Sequence, residues 1–290
     1  LPPADILIAA LVNGVLTGGI YALVALGLTL IYGVLHIVNF AHGSLLMLSM
    51  FGAWLLFDRL GIDPYAALPI MTVAAFVFGW ALYAGLIGRI SRGDDRSILL
   101  TTLAVAVVLD NLALVVFTGD SRTIDTPYAF SVVEAGPLLI SVPRLISFGL
   151  ALLLAACMWA FMTRTDLGRA IRAVAREPDG ARLAGISPER IFALSYGIGV
   201  ACLGAAACLL LPTFYVSPQV GNVFVLVAFT TVVLGGMGSF PGAVVGGLLI
   251  GVTESLGGLF LGESLGPIGI PLVFIAVLLL RPSGLFRAAR

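Results

Sequence analysis

Ile6-Leu-Ile-Ala-Ala-Leu-Val-Asn13-Gly-Val-Leu-Thr17-Gly-Gly-Ile-Tyr21-Ala-Leu-Val-Ala-Leu-Gly-Leu-Thr-Leu-Ile-Tyr32 is an unbroken apolar run without a single charged side chain. It exceeds the about 20 residues a helix needs to cross bilayer hydrocarbon. It is also longer than the roughly 7–15 residues of a signal-peptide core, so a retained membrane helix is expected rather than a cleaved leader. The rest of the chain agrees. Of 290 residues, 60% are hydrophobic and only 10% charged, against about 25% charged in a soluble domain. So few charges cannot cover a water-facing surface. A soluble globular protein, a disordered chain and a nucleic-acid binder with a basic face are excluded, and an all-α polytopic membrane protein is implied. All 15 basic residues are arginine. Without lysine the chain cannot form a Walker A nucleotide loop.

Nine hydrophobic segments are read, at 6–32, 44–57, 65–88, 97–118, 145–163, 191–211, 223–234, 243–261 and 268–280. The expected fold therefore has about eight or nine transmembrane segments. The runs at 44–57 and 223–234 are too short to span as ordinary helices. Short, glycine-interrupted segments imply discontinuous or re-entrant helices whose backbone faces protein or a water cavity. Arginines set the orientation. Arg89, Arg92, Arg96, Arg164, Arg169, Arg172, Arg176, Arg182, Arg190, Arg281, Arg287 and Arg290 fall on alternate connections, and only Arg59, Arg122 and Arg144 fall on the opposite side. The positive-inside rule makes the first set cytoplasmic and, with nine crossings, puts the N-terminus outside. The zero net charge is thus a cancellation between an arginine-rich inner side and an acidic outer side. The external connection 119–144, with Pro127, Gly136, Pro137 and Pro143, is expected to be a short packed cap within a single membrane domain spanning 1–290.

The cytoplasmic loop 164–190 is a polar island with its own helical pattern. Asp166 is positioned to cap a helix starting at Leu167. Leu167, Ile171 and Val174 form one stripe, and Arg169, Arg172 and Arg176 another. Pro178 stops that helix, and a second short turn ends at Gly185. A topology signal needs only positive charge. Two capped turns with an apolar stripe point to docking of a cytoplasmic partner.

Leu26-Gly-Leu-Thr-Leu-Ile-Tyr-Gly-Val-Leu-His-Ile-Val-Asn-Phe-Ala-His-Gly43 resembles the N-terminal signature of LivH-type permeases. So do Gly168-Arg-Ala-Ile-Arg-Ala-Val-Ala175, Ala181-Arg-Leu-Ala-Gly-Ile186, Leu234-Gly-Gly-Met-Gly-Ser-Phe-Pro-Gly-Ala243 and Arg281-Pro-Ser-Gly-Leu-Phe286. These permeases belong to ABC importers for branched-chain amino acids, and the resemblance covers the chain in order. It implies a multi-pass subunit of the bacterial cytoplasmic (inner) membrane, in contact with lipid. Its partners would be a second permease in a heterodimer, two cytoplasmic ATPases and an extracytoplasmic substrate-binding protein. ATP and magnesium would bind the partners and no cofactor this chain. The ATPase-coupling residues would be Leu167, Gly168, Arg169, Ile171, Arg172, Val174, Arg176, Ala181 and Gly185. The family's paired Glu-Ala-Ala opening is replaced here by Glu177-Pro-Asp-Gly-Ala181. Leucine, isoleucine and valine are the family's usual substrates; similar permeases are linked to urea, short amides and other small acids.

Polar groups within the spans mark pathway candidates. Asn13, Thr17 and Tyr21 share one stripe of the first span. Asn39 and His42 flank the first break, where they would satisfy open backbone groups. Asp110, beside Asn111, and Glu254 are intramembrane acids, each costing roughly 2.5–3.5 kcal/mol at the bilayer centre. They read equally as interhelical hydrogen-bonding groups and as pathway residues. The alternative function, an ion- or proton-coupled secondary transporter, would use these two acids as carriers. Gly242-x-x-x-Gly246 and Gly247-x-x-x-Gly251 are expected to let neighbouring helices approach closely. Cys157, Cys202 and Cys208 are an odd number in apolar stretches, which argues against a disulfide framework. His36 and His42 are six apart, off a common helical face, and do not suit zinc. No hydrolase or redox motif is present, so no enzymatic activity is expected.

Overall fold

A computed structural model describes residues 3–90, 95–135, 138–262, 265–281 and 284–286. Arg92, Gly136, Pro137, Arg287 and Arg290, named in the sequence analysis, lie outside them. Every apolar run became a helix. The chain forms α1 (Ala4–Leu35), α2 (His42–Leu60), α3 (Pro64–Leu82), a π turn (Tyr83–Ile87) leading into α4 (Gly88–Ile90), and α5 (Asp95–Phe117). A hairpin of β1 (Val132–Ala135) and β2 (Leu138–Ser141) precedes α6 (Val142–Arg164). Then come α7 (Asp166–Arg176), α8 (Pro178–Leu183), α9 (Pro188–Leu210), α10 (Val220–Gly235), α11 (Phe240–Leu261) and α12 (Gly269–Leu280). Among the described residues seven helices are long and apolar enough to cross a membrane, with α10 and the α12 region as shorter apolar helices. The fold is an all-α, polytopic, multi-pass membrane protein.

The centre consists of α1 and α9. Residues 18–31 of α1 and 199–212 are buried without interruption, as expected for helices that are apolar all round. Around them α11, α6 and α10 pack on α1, and α3 packs antiparallel on α9. The N-terminal half of α1 meets the start of α6, with the Arg144 guanidinium donating to Asn13 Oδ1 at 3.4 Å. The C-terminal half meets α7. The N-terminal end of α1 therefore lies at the opposite end of the bundle from the arginine-rich loop.

The first break folds back into the membrane. α1 closes at His36, which adopts the left-handed conformation (φ 57°). His42, at the start of α2, donates from Nε2 to the Val24 carbonyl at 3.0 Å. Val24 lies eleven residues before the end of α1, about 16 Å at 1.5 Å per residue. Residues 37–41 return as irregular backbone with Ile37, Asn39 and Ala41 buried and Phe40 exposed, and α2, at 19 residues, is itself long and apolar enough to cross, which corrects the short re-entrant segment expected at 44–57. α10 meets it: a Cβ at Gly43 would strike the Gly221 carbonyl, and one at Gly221 would lie 2.7 Å from the Gly43 carbonyl oxygen. The first turns of α2 and of the shorter α10 touch at these glycines.

The external connection is only partly a packed cap. Tyr128 donates to Asp63 Oδ2 at 2.6 Å, and Asp63 Oδ1 caps α3 through the Tyr65 N–H at 2.9 Å. Burial, then the bond to Asp63, raises the Tyr128 pKa, so the phenol stays protonated and keeps donating. Arg122 stacks 4.4 Å over Trp54 and pairs by backbone with Val216. Beyond this tether the hairpin, registered Val132 to Ser141, lays β2 against α1 and α6 and leaves Phe130, Val132 and Val133 exposed. A two-stranded ribbon has too little area to bury both its faces.

Candidate functional site

The expected glycine pairs on α11 serve two different neighbours. A Cβ at Gly246 would lie 2.6 Å from the Thr231 carbonyl oxygen, and Gly242 abuts Gly235, so both face α10. Gly247 abuts Ala22, and a Cβ at Gly251 would lie 2.5 Å from Gly18 Cα, so both face α1. The partners Gly14 and Gly18 on α1 went unread, although their own four-residue spacing was a usable signal.

This close approach lets side chains at the edge of the α1–α11 seam meet. Tyr21 donates to Glu254 Oε2 at 2.6 Å, and Ser255 donates to the Ala10 carbonyl at 2.7 Å. Asn13 and Thr17 lie half-buried on the same helix as Tyr21. Arg144, assigned from sequence only to outer-side charge, joins the seam through Asn13. The structure therefore bonds Tyr21 to Glu254 and Asn13 to Arg144 along one seam, while Thr17 lies half-buried on the same helix with no bond to either pair among the described residues. Tyr21→Phe is expected to cost about 1–3 kcal/mol, because it removes the donor from a largely desolvated carboxyl group. Glu254→Gln retains an acceptor and should cost less. Thermal unfolding of the purified variants checks the order; an unchanged midpoint for Tyr21→Phe would remove the bond from the account.

Asp110 and Asn111 are not part of this seam. They lie on α5, which packs on α2 and the end of α3. The Asn111 side chain returns to its own helix, at 2.7 Å from the Val107 carbonyl. Asp110 keeps one buried carboxylate oxygen without a partner among the described residues. At the first break, Asn39 Oδ1 accepts the Ala41 N–H at 3.1 Å, and His42 ties α2 to α1. Both side chains hold the re-entrant turn. Among the described residues no His, Cys, Asp or Glu cluster could hold a metal.

The cytoplasmic element differs in detail from the expected one. Thr165, not Asp166, caps α7, accepting the Gly168 N–H at 3.0 Å, while Asp166 pairs with Arg169. Gly168 is held where a Cβ would meet the Phe161 carbonyl oxygen at 2.5 Å. The apolar stripe turns inward: Ile171 and Val174 are fully buried, with Leu167 packed beside them. They seat α7 on the helix bundle itself. Pro178 ends α7 and opens α8, which holds Ala181 inward. Gly185 follows at φ 81°, a conformation that favours glycine. Arg182 pairs with Glu189 and, at 3.3 Å, with Asp179, and these bonds raise its pKa further. Leu183, absent from the sequence reading, stands 93% exposed on α8.

Apolar helices packed around α1 and α9, with a polar bond inside the bundle and an amphipathic turn at one end, are the architecture of a multi-pass membrane protein. The chain belongs to the family of branched-chain amino acid transport system permease components, whose model matches residues 10–281. BraD of Pseudomonas aeruginosa, a high-affinity branched-chain amino acid transport system permease protein, is 33% identical over 95% of this chain and 94% of its own. LivH of Escherichia coli, described in the same words, is 32% identical over 94% of this chain and 93% of its own. A probable LivH of Methanocaldococcus jannaschii is 28% identical over 94% of this chain and 90% of its own. The chain is a transport subunit, not an enzyme. Nothing in these likenesses supports a gradient-driven secondary transporter, and Asp110 and Glu254 sit on separately packed helices.

Proposed function

We propose that this chain is one of two permeases of an ABC importer in the bacterial cytoplasmic membrane, and that the importer admits leucine, isoleucine and valine. The observation that carries this reading is the family match along nearly the whole chain, with similar proteins described as branched-chain amino acid permeases. The chain works as a single permease domain paired with a different second permease. An extracytoplasmic binding protein delivers substrate, and two cytoplasmic ATPases hold ATP and magnesium. The segment from Thr165 to Ile186 docks the ATPases, with α8 as the outward contact and α7 as the lever that carries movement to α1. The seam residues Asn13, Thr17, Tyr21 and Glu254 supply polar groups along the path.

The test is reconstitution. Proteoliposomes holding both permeases, the ATPases and the binding protein should accumulate labelled leucine only when ATP reaches the ATPase side. Accumulation by this chain alone under an imposed proton or sodium gradient would overturn the importer assignment. Uptake of urea or short amides with leucine rejected would overturn the substrate.

A further inference from the structure

Where α1 ends on the cytoplasmic side, Thr29, Tyr32, Trp159, Arg172, Arg176 and Phe240 contribute to the wall of a cavity of about 830 Å³. Its two ends differ in chemistry. At the water side Arg172 and Arg176 sit one turn apart on one face of α7. No carboxylate lines the cavity, and among the described residues neither arginine is ion-paired, in contrast to Arg169 and Arg182. At the deep end Thr29 lies six residues before the end of α1, about 9 Å into the membrane. Its hydroxyl is buried and has no partner among the described residues. The rest of the wall is mainly apolar, with Tyr32, His36, Thr163 and Ser239 as its other polar members. Trp159, half-exposed, sits at the level where tryptophans mark the membrane interface. The outer face of α6 above it carries exposed Leu152 and Leu153, a track for a hydrocarbon chain.

A soluble anion would satisfy the arginines and leave the apolar wall unfilled. A neutral apolar guest would make no use of the two exposed, unpaired guanidinium groups. An amphiphile with one negative charge meets the arginines with its headgroup and the apolar part of the wall with its chain. We propose that the cavity seats the phosphodiester headgroup of an anionic phospholipid from the cytoplasmic leaflet, its phosphate on Arg172 and Arg176 and its first acyl carbons against Trp159 and Phe240. The bound lipid spans α1, α6, α7 and the head of α11. It therefore holds the docking lever against the membrane body, whatever solute the permease carries.

The test uses the full chain, purified with its co-expressed subunits and placed in nanodiscs. Trp159 fluorescence is taken as the difference between wild type and Trp159→Phe. Phosphatidylglycerol with brominated acyl chains should quench it at an about tenfold lower mole fraction than phosphatidylcholine brominated in the same way, given the attraction of two arginines for an anionic headgroup. The Arg172→Gln/Arg176→Gln double variant should lose that preference. Ala175→Phe, which narrows the cavity and spares both arginines, should lose it too and guards against a folding defect in the double variant. Equal quenching by the two lipids in wild type, or a preference that survives both variants, would overturn the proposal. So would the same Trp159 change on adding inorganic phosphate to purely zwitterionic nanodiscs, which would assign the cavity to a soluble anion.

Discussion

Gly251→Leu is expected to abolish the folded permease, whereas Gly149→Leu is expected to leave it intact. An added side chain at Gly251 starts 2.5 Å from the Cα and N of Gly18 and closer still to the Gly14 carbonyl. All of these are backbone atoms, which cannot swing aside as the end of a side chain can. Ordinary overpacking of a core costs about 1–3 kcal/mol. Here α1 and α11 would have to part, which also breaks Tyr21 to Glu254 and Ser255 to the Ala10 carbonyl. Against a total stability of about 5–15 kcal/mol, losing a seam along the central helix is decisive. At Gly149 a Cβ meets nothing within 4 Å. The measurement is the yield of monodisperse protein after detergent extraction and gel filtration. An at least tenfold loss is expected for Gly251→Leu and near wild-type yield for Gly149→Leu; equal yields would show that the two helices do not touch through these glycines.

The glycine seam illustrates what a sequence of this kind discloses. Hydropathy is a local property, so each of the nine apolar runs was legible and became a helix; the run at 223–234 stayed short as α10, whereas the run at 44–57 extended into a helix long enough to cross. The small-residue spacing on α11 was legible too, but its partner was not. Which helix lies against Gly247 and Gly251 depends on long-range packing, and only the structure places Gly14, Gly18 and Ala22 there. The contact of Gly43 with Gly221 is of the same kind, joining positions almost 180 residues apart that carry no shared motif. Periodicity revealed the amphipathic α7 but not the direction its stripe faces. An apolar stripe can seat a helix on its own body or offer it to a partner, and Ile171 and Val174 do the former. Arg144 read as an outer-side charge because a topology rule treats arginines as counts, whereas its neighbour Asn13 gives it a place at the seam. Leu183 was hidden for the opposite reason: a single leucine in a six-residue polar turn makes no pattern.

That leucine is where the second large effect is expected. Leu183→Asp should uncouple the importer while leaving the permease itself stable. With 93% of the side chain exposed, Leu183 contributes almost nothing to folding, so the unfolding midpoint of the isolated permease should not move. Its neighbours are restrained: Arg182 is bonded to both Asp179 and Glu189, and Gly185 turns the chain immediately afterwards. Leu183 is thus an apolar knob on a rigid projection at the cytoplasmic side. Seating it in an ATPase groove would contribute about 1.5–3 kcal/mol by burial. An aspartate forfeits that and adds a carboxylate that would be desolvated without a partner, which costs more again. Together these weaken docking by more than about 100-fold, at about 1.4 kcal/mol per factor of ten. Leu183→Ala, which loses burial without adding charge, should fall between aspartate and wild type. Co-purification of the ATPase and ATP-driven leucine uptake should fall together in the order wild type, alanine, aspartate. If both readouts stay at wild-type level in Leu183→Asp, the knob is not the contact, and α8 is not the surface through which force passes.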